Sequence, residues 1–307
     1  MMIELKKITK TYQGKEAVSN LTLTIDAGEL FVLVGHSGSG KTTTMKMVNA
    51  LIQPTTGEVK VRGKQIEAYD LKSLRQSIGY VLQNSALFPN MTIFQNAAIQ
   101  LEAMKVPLVD RQARIYDLLD RVGLDHEKYA NRYPSELSGG EQQRVGIVRA
   151  LATDPDSILM DEPFSALDPL SRQALQNLVL ELHDTLQTTI VFVTHDMNEA
   201  TRLGTRIGVM ADGVLQQVGT PQQIIDNPAN QLVASFFNTQ QQIVAQDLIM
   251  AGFGTPIKED NTEVPNIDQQ TQLHQIADYL LHCEAVTVEG RTQLTVQDVL
   301  AYLAHNR

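Results

Sequence analysis

Tryptophan is absent from this chain, cysteine occurs once, and only 5% of the residues are aromatic. The single cysteine, Cys283, excludes a disulfide framework within the chain, and we expect it to be a small buried hydrophobe rather than a nucleophile. No apolar run approaches the roughly 18 residues that suggest a membrane-spanning helix. The first residues also lack the basic-then-apolar layout of a signal peptide, so a cytosolic location is expected.

Positive charge is scarce as well, because 25 lysines and arginines face 35 aspartates and glutamates and leave a formal net charge of −10. Such a balance repels both nucleic acid and an anionic bilayer. We therefore expect no nucleic-acid partner, and a location at a membrane would require a protein that holds the chain there. At 307 residues with 43% apolar content, the chain can form one large domain and a smaller appendage.

What the chain does contain is a glycine-rich segment with the spacing G-x-x-x-x-G-K-[ST]. An apolar run over 30–34 precedes it and a helical pattern over 41–51 follows it, which is the context that a phosphate-binding loop requires. The alternative is a glycine-rich turn that merely joins a strand to a helix. In a phosphate-binding loop, backbone N–H groups and the helix dipole face an anion. The residues predicted to hold phosphates are Gly35, His36, Ser37, Gly38, Ser39, Gly40, Lys41, Thr42 and Thr43.

The apolar pattern predicts an α/β fold. Alternating segments typical of half-buried antiparallel strands occupy 3–8, 21–25 and 57–62. Apolar strands separated by helical patterns follow, which indicates a mostly parallel sheet; they lie at 78–83, 157–160, 189–193 and 206–210. Between 87 and 152 the strand signal disappears, so this stretch is predicted to be an inserted helical subdomain.

The C-terminal part of the chain has a different composition. The main domain is expected to cover 1–237, followed by a polar linker over 238–266. Short helix and strand patterns return over 267–307, which predicts a small α+β tail.

Two of the predicted parallel strands end in polar residues. Asp161 and Glu162 follow one strand and His195 follows another. Ligands of open α/β sheets bind at the carboxyl ends of the strands, so these residues are expected to meet the phosphate loop. Asp161 would hold a magnesium ion together with Thr42, Glu162 would activate a water, and His195 would contact the γ-phosphate. The alternative for Asp161 and Glu162 is that they only cap the strand and the following turn, and the alternative for His195 is a structural role.

A second candidate anion site lies at Ser138, Gly139, Gly140 and Glu141, directly before a predicted helix. Ser138 is placed to cap that helix, and the glycines would let a phosphate approach the backbone N–H groups. With one lysine-bearing loop per chain, a head-to-tail homodimer would close the Ser-Gly-Gly segment of each chain over the nucleotide of the other. The predicted unit is therefore a twofold dimer with two composite sites.

These motifs, taken in this order, closely resemble the ATP-binding-cassette (ABC) ATPases over about residues 1–237. The resemblance implies a P-loop NTPase core with an N-terminal antiparallel subdomain and a helical insertion, with ATP as ligand and Mg²⁺ as cofactor. It also implies that Tyr12 stacks on adenine and that Gln83 senses the magnesium and the attacking water. By the same resemblance, 165–168 would form the loop that meets the partner cassette.

Within this family, the segments 42–49 and 51–57 look like those of osmoprotectant importers, which carry glycine betaine, carnitine, choline or proline betaine. The likeness implies a separate membrane permease, an extracytoplasmic binding protein, and a peripheral position on the cytoplasmic face of the membrane. Rival hypotheses are a different cargo, such as an amino acid, methionine or a lipid-linked export substrate, and a non-transport cassette that works on nucleic acid.

The segment 286–303 looks like the end of a regulatory module of the cystathionine-β-synthase type. Many of those relatives carry two such modules in tandem, and this tail is too short to hold a complete pair. Three readings remain open: a remnant that supports dimerisation, a sensor of ionic strength or of a nucleotide, and a simple packing tail.

Overall fold

The computed structural model describes residues 1–237, 244–257, 264–271 and 273–305. The chain divides into two units, Met1–Phe236 and Phe237–Arg307, and each is described by itself. Within the described ranges, no helix is both long enough and apolar enough to cross a membrane.

The strands of the first unit form two sheets. In chain order they are β1 (Ile3–Tyr12), β2 (Lys15–Ile25), β3 (Leu30–Val34), β4 (Thr56–Val61), β5 (Lys64–Gln65), β6 (Ile78–Val81), β7 (Ser157–Asp161), β8 (Thr189–Thr194), β9 (Arg206–Ala211) and β10 (Val214–Gly219).

The central sheet has the order β10-β9-β3-β8-β7-β6, and all its neighbouring pairs are parallel except β9 with β10. Every residue of β3, β7 and β8 is buried. Strands covered on both faces read as continuous apolar runs, which is why the sequence pattern located them. The predicted mostly parallel sheet is confirmed.

The other sheet has the order β2-β1-β4-β5 and is antiparallel. Along β2, Leu21, Leu23 and Ile25 are buried and alternate with more exposed threonines. This apolar face shares one core with Leu159 and Val193 of the central sheet. The predicted antiparallel subdomain is therefore packed against the parallel sheet and supports the region behind the phosphate loop.

Most helices of the first unit connect these strands, and two follow the last strand. They are α1 (Lys41–Val48), α2 (Leu71–Gln76), α3 (Ile93–Ala103), α4 (Leu108–Arg121), α5 (His126–Tyr129), α6 (Gly139–Leu151), α7 (Pro169–Leu186), α8 (Met197–Leu203), α9 (Pro221–Asp226) and α10 (Gln231–Phe237). Helices α3 to α6 lie between β6 and β7 in the chain. Capping boxes open α3 at Thr92 and α6 at Ser138, so two ends of this helical insertion are set by local sequence.

The second unit has its own small sheet and core. Its elements are α11 (Ala245–Met250), β11 (Thr255–Pro256), β12 (Asn266–Ile267), α12 (Leu273–Leu280), β13 (Ala285–Val288), β14 (Thr292–Thr295) and α13 (Val296–His305). The sheet order is β11-β14-β13-β12. Ile276, Val286 and Leu294 are buried at the centre of this unit's core.

Two expectations for this part of the chain differ from the structure. The described residues of the expected linker over 238–266 contain α11, whose Ala245 and Leu248 are buried in the core of the second unit; residues 238–243 and 258–263 lie outside the described residues. Because polar residues surround this short helix in the chain, the spacing of its apolar residues did not stand out in the sequence. Cys283 is half-buried rather than buried, because it lies between α12 and β13 on the wall of a surface cleft.

Candidate nucleotide-binding site

The predicted phosphate-binding loop joins β3 to α1 and contains two glycines with no room for a side chain. At Gly35, with φ +156°, a Cβ atom would lie 2.0 Å from the carbonyl oxygen of Met210. At Gly40, with φ +96°, it would lie 2.5 Å from that of Ala17. The loop backbone is thus held against β9 and β2, and it leads directly into the N-terminus of α1, the end of a helix that attracts anions.

Lys41 is the charged residue of this loop, and it is almost completely buried at 4% exposure. Its Nζ donates hydrogen bonds to the carbonyl oxygens of Gly35 (2.7 Å) and His36 (2.8 Å). Burial lowers the pKa of Lys41, while the nearby carboxylates of Glu162 and Asp161 act in the opposite direction. The ammonium group therefore lies within the loop, close to the two acidic residues at the end of β7.

Asp161 ends β7 and lies against the first residues of α1. Its Oδ1 accepts a hydrogen bond from the Thr42 hydroxyl (2.7 Å), and its Oδ2 accepts one from the hydroxyl of Tyr80 (3.4 Å). Burial raises the pKa of Asp161, and the bond from Thr42 partly offsets this effect. A carboxylate beside a hydroxyl is a donor set of hard oxygens, which fits Mg²⁺.

Glu162 and His195 come together at the ends of β7 and β8. Nδ1 of His195 lies 3.0 Å from Oε2 of Glu162. The backbone of Glu162 has φ +45°, a left-handed conformation that is costly for a residue with a side chain, and its N–H donates to the carbonyl oxygen of Val193. The turn after β7 thus holds the carboxylate against the histidine of the neighbouring strand.

Ser138, Gly139, Gly140 and Glu141 form the start of α6, as expected. The Glu141 carboxylate accepts hydrogen bonds from the Ser138 N–H (2.8 Å) and from the Tyr129 hydroxyl (2.7 Å). The bond from Tyr129 is the largest cause that lowers the pKa of Glu141. Glu141 therefore completes the capping box that begins at Ser138, and the two glycines contribute backbone N–H groups of the first helical turn.

Comparison with known proteins decides the family. The ABC transporter family profile matches residues 18–165. The osmoprotectant import ATP-binding protein OsmV of Salmonella typhimurium is 42% identical over 256 residues, which cover 82% of this chain and 67% of that protein. This chain belongs to the ABC transporter ATP-binding protein family. The choline transport ATP-binding protein OpuBA of Bacillus subtilis is 49% identical over 243 residues, or 79% of this cassette chain.

The cassette chain is shorter than several of these relatives. It covers 64% of OpuBA of Bacillus subtilis and 62% of the carnitine transport ATP-binding protein OpuCA of Listeria monocytogenes. Among solved structures, it is similar to a dimeric ATP-binding cassette in a post-hydrolysis state bound to ADP and Pi. That match has a TM-score of 0.65 and 35% identity, and it covers 72% of this chain and 99% of the other.

The remaining residues predicted to hold phosphates lie in the loop between β3 and α1 or in the first turn of α1. Ser37 and Gly38 are exposed at the tip, whereas Ser39 is buried. The exposed ring of His36 lies 4.6 Å from the ring of Phe236, centroid to centroid. Thr43 is half-buried in the first turn of α1.

Two further residues of the cassette were assigned by resemblance. Tyr12 ends β1 with 45% of its surface exposed, and the Nζ of Lys10 lies 5.0 Å from the centroid of its ring. Gln83 follows β6 and is exposed, and its Nε2 donates to the hydroxyl of Ser165 at 3.2 Å. The structure thus places Gln83 beside the turn that follows Glu162.

Sequence reasoning missed three residues around the cassette's acidic cluster: Tyr80, Arg172 and Glu199. Tyr80 is the second-last residue of β6. Burial raises its pKa far above the ordinary value, and the nearby Asp161 carboxylate raises it further. Glu199 is 6% exposed and accepts a hydrogen bond from the Thr194 hydroxyl at 2.5 Å. The signal that could have identified Glu199 is a glutamate on the apolar face of a predicted helix, because buried acids are rare unless they are paired.

Proposed function

We propose that this chain is the ATP-hydrolysing subunit of an ABC importer that takes up a quaternary-amine osmoprotectant such as glycine betaine, carnitine or choline. One observation carries the proposal: Lys41, Asp161, Glu162 and His195 converge at the carboxyl edge of the central sheet. The cargo class is supported by the names of the relatives, which are choline, carnitine and osmoprotectant transport proteins.

The proposed chemistry begins with binding of the triphosphate. Lys41 and the N–H groups of the loop neutralise the β- and γ-phosphates, and Tyr12 stacks on the adenine. Thr42, Gln83 and Asp161 would hold Mg²⁺, which would supply positive charge that offsets the charge of the phosphates. The donor set supports this role, because the Thr42 hydroxyl and an Asp161 oxygen already lie 2.7 Å apart.

Hydrolysis then requires an activated water in line with the γ-phosphate. Glu162 accepts a proton from that water, and His195 stabilises the charge on the transferred phosphoryl group. The hydrogen-bonding distance between these two side chains supports their joint action. Their arrangement orients the water and holds the proton at a carboxylate oxygen, so catalysis depends mainly on position and charge.

We further propose that two copies pair head to tail, so that Ser138, Gly139, Gly140 and Glu141 of one chain cover the nucleotide of the other. The dimeric solved cassette that resembles this chain supports the pairing. In the assembled transporter, we expect Ser138→Arg to abolish hydrolysis while ATP binding at the phosphate loop remains. Ser135→Arg introduces the same charge outside the segment 138–141 and serves as the control. Normal hydrolysis by the Ser138→Arg dimer would contradict the composite site.

The partners in this proposal are integral permease subunits and an extracytoplasmic binding protein, with the cassette on the cytoplasmic face of the membrane. The second unit is proposed to support the pairing of the subunits. The net charge of −10 supports attachment through a permease rather than through lipid or nucleic acid.

The cargo is tested by uptake of labelled glycine betaine, carnitine, choline and methionine in cells that depend on this chain and its permease. We expect uptake of at least one quaternary amine and none of methionine, and we expect the Lys41→Ala variant to abolish it. Uptake of methionine alone would contradict the proposed cargo, and failure of the chain to copurify with a permease would contradict the transport function.

A further inference from the structure

The proposed catalytic pair is carried by two separate turns. Glu162 begins the turn after β7, in which the Ser165 N–H donates to the carbonyl oxygen of Glu162 and the Leu167 N–H donates to that of Phe164. His195 lies in the turn between β8 and α8. A catalytic group that is misplaced by about 1 Å can cost on the order of 100-fold in rate, so the relative position of the two turns matters.

Arg172 lies in the first turns of α7, between these two segments. On one side its Nη2 donates to the carbonyl oxygen of Leu167 at 3.3 Å. On the other side its Nη1 lies 3.9 Å from Oδ2 of Asp196, and its Nε lies 3.9 Å from Oε1 of Glu199. One guanidinium group therefore spans from the turn that follows Glu162 to the segment that follows His195.

Glu199 connects this contact to the backbone around His195. Its Oε2 accepts the Thr194 hydroxyl at 2.5 Å, and the same hydroxyl oxygen accepts the N–H of Asp196 at 3.0 Å. Thr194 and Asp196 are the two chain neighbours of His195. Because Glu199 is 6% exposed, its carboxylate is held in a low-dielectric region where an opposite charge acts strongly.

The charges at this place support an electrostatic role for Arg172. Glu162, Arg172, His195, Asp196 and Glu199 line a small cavity of about 30 Å³. Arg172 is its permanently positive residue, because arginine stays protonated in proteins. Its Nε is buried and has no hydrogen-bond partner within the part of the chain that the structure describes. The pairs at 3.9 Å are longer than close charge-assisted hydrogen bonds, so Arg172 acts on both carboxylates through its charge rather than through direct hydrogen bonds.

We propose that Arg172 is a positioning residue that holds the turn carrying Glu162 and the turn carrying His195 in register for hydrolysis. It acts through Leu167 on one side and through Glu199 on the other. The inference rests on the proposed function, because it assumes that Glu162 and His195 act on ATP. Its effect belongs to the hydrolytic step and not to nucleotide binding, since the partners of Arg172 are Leu167, Asp196 and Glu199.

The test compares kcat for ATP hydrolysis and Kd for ATP in the assembled complex. We expect Arg172→Gln to lower kcat by about 10-fold or more while Kd stays within about twofold, because only the catalytic turns are disturbed. Arg172→Lys keeps the charge and should recover part of kcat. Asn177→Ala removes a hydrogen bond from Arg202 that also joins α7 to α8, and it should leave both constants unchanged.

A double-mutant cycle separates this role from a general loss of packing. Glu199→Gln should also lower kcat. The double variant Arg172→Gln with Glu199→Gln should be no slower than the slower of the two single variants, because both substitutions disturb the same contact. Additive losses, a kcat unchanged in Arg172→Gln, or a loss confined to Kd would overturn the inference. If wild type hydrolyses no ATP, the proposed function fails; if wild type is active and Arg172→Gln equals it, only this inference fails.

Discussion

Oε2 of Glu162 and Nδ1 of His195 lie 3.0 Å apart, although the two residues are 33 positions apart in the chain. The parallel pairing of Asp161 with Val193 brings Glu162, the next residue, and His195, two residues further on, to the same edge of the sheet. The backbone of Glu162 has φ +45°, a left-handed conformation that costs local strain. Strain of this kind at a strand end is consistent with a role in function rather than in stability.

The first prediction concerns this pair. Glu162→Gln should retain ATP binding through Lys41 and the loop, but it should lower kcat by roughly 100-fold to 10,000-fold, the usual contribution of a general base. The variant should accumulate as an ATP-bound dimer. Phosphate release and gel filtration with ATP measure the two effects. Glu181→Gln changes an exposed glutamate of α7 and serves as the control, and near-normal hydrolysis by Glu162→Gln would refute the role of the base.

The second prediction concerns the fit of the phosphate loop. Gly35→Ala should destabilise the nucleotide-free protein by about 3 kcal/mol or more, because strain and overlap with the Met210 carbonyl oxygen add together. Gly38 has φ +79° but open space around its Cβ position. Gly38→Ala should therefore cost only about 1 kcal/mol.

Thermal unfolding without nucleotide compares the two variants, and a domain of this size loses about 2–4 °C in Tm per kcal/mol. Equal losses for Gly35→Ala and Gly38→Ala would show that the contact with Met210 does not restrict the loop.

Local patterns in the sequence were sufficient to predict which residues of the candidate site lie near one another. The phosphate loop is one continuous segment with a fixed spacing, and Asp161, Glu162 and His195 directly follow apolar runs. Because parallel strands end at the same edge of a sheet, their convergence followed from strand positions alone. The helix cap at Ser138 was equally accessible, since a capping box spans only four residues.

The remaining features depend on contacts between distant parts of the chain. Tyr80 meets Asp161 because β6 lies beside β7, and Arg172 meets Glu199 because α7 lies beside α8. Neither pair has a spacing that a sequence pattern can reveal. Helix α11 was missed for a different reason: it has only six residues, and its burial in the second unit outweighs the polar composition around it.

The third prediction concerns the pH dependence of stability and uses Glu199. Burial raises the pKa of this carboxyl group above its ordinary value of 4.5, despite the opposing effects of Thr194 and Arg172. The unfolded chain therefore loses the proton at a lower pH than the folded chain. As pH rises from about 4.5 through the raised pKa, Glu199 makes the folded state progressively less stable, and above that pKa the penalty is constant.

Glu199→Gln removes this titration and can still accept the hydrogen bond from Thr194. We expect the variant to have a higher Tm than wild type near pH 8, a difference that shrinks as the pH falls towards 4.5. Melting curves over that range, with Glu181→Gln as the exposed control, measure it. A variant that is less stable than wild type at pH 8, or a difference independent of pH, would show that the ion pair with Arg172 outweighs the burial of Glu199. In combination with the expected loss of kcat, a gain in Tm would mean that this buried acid is retained for catalysis at the expense of stability.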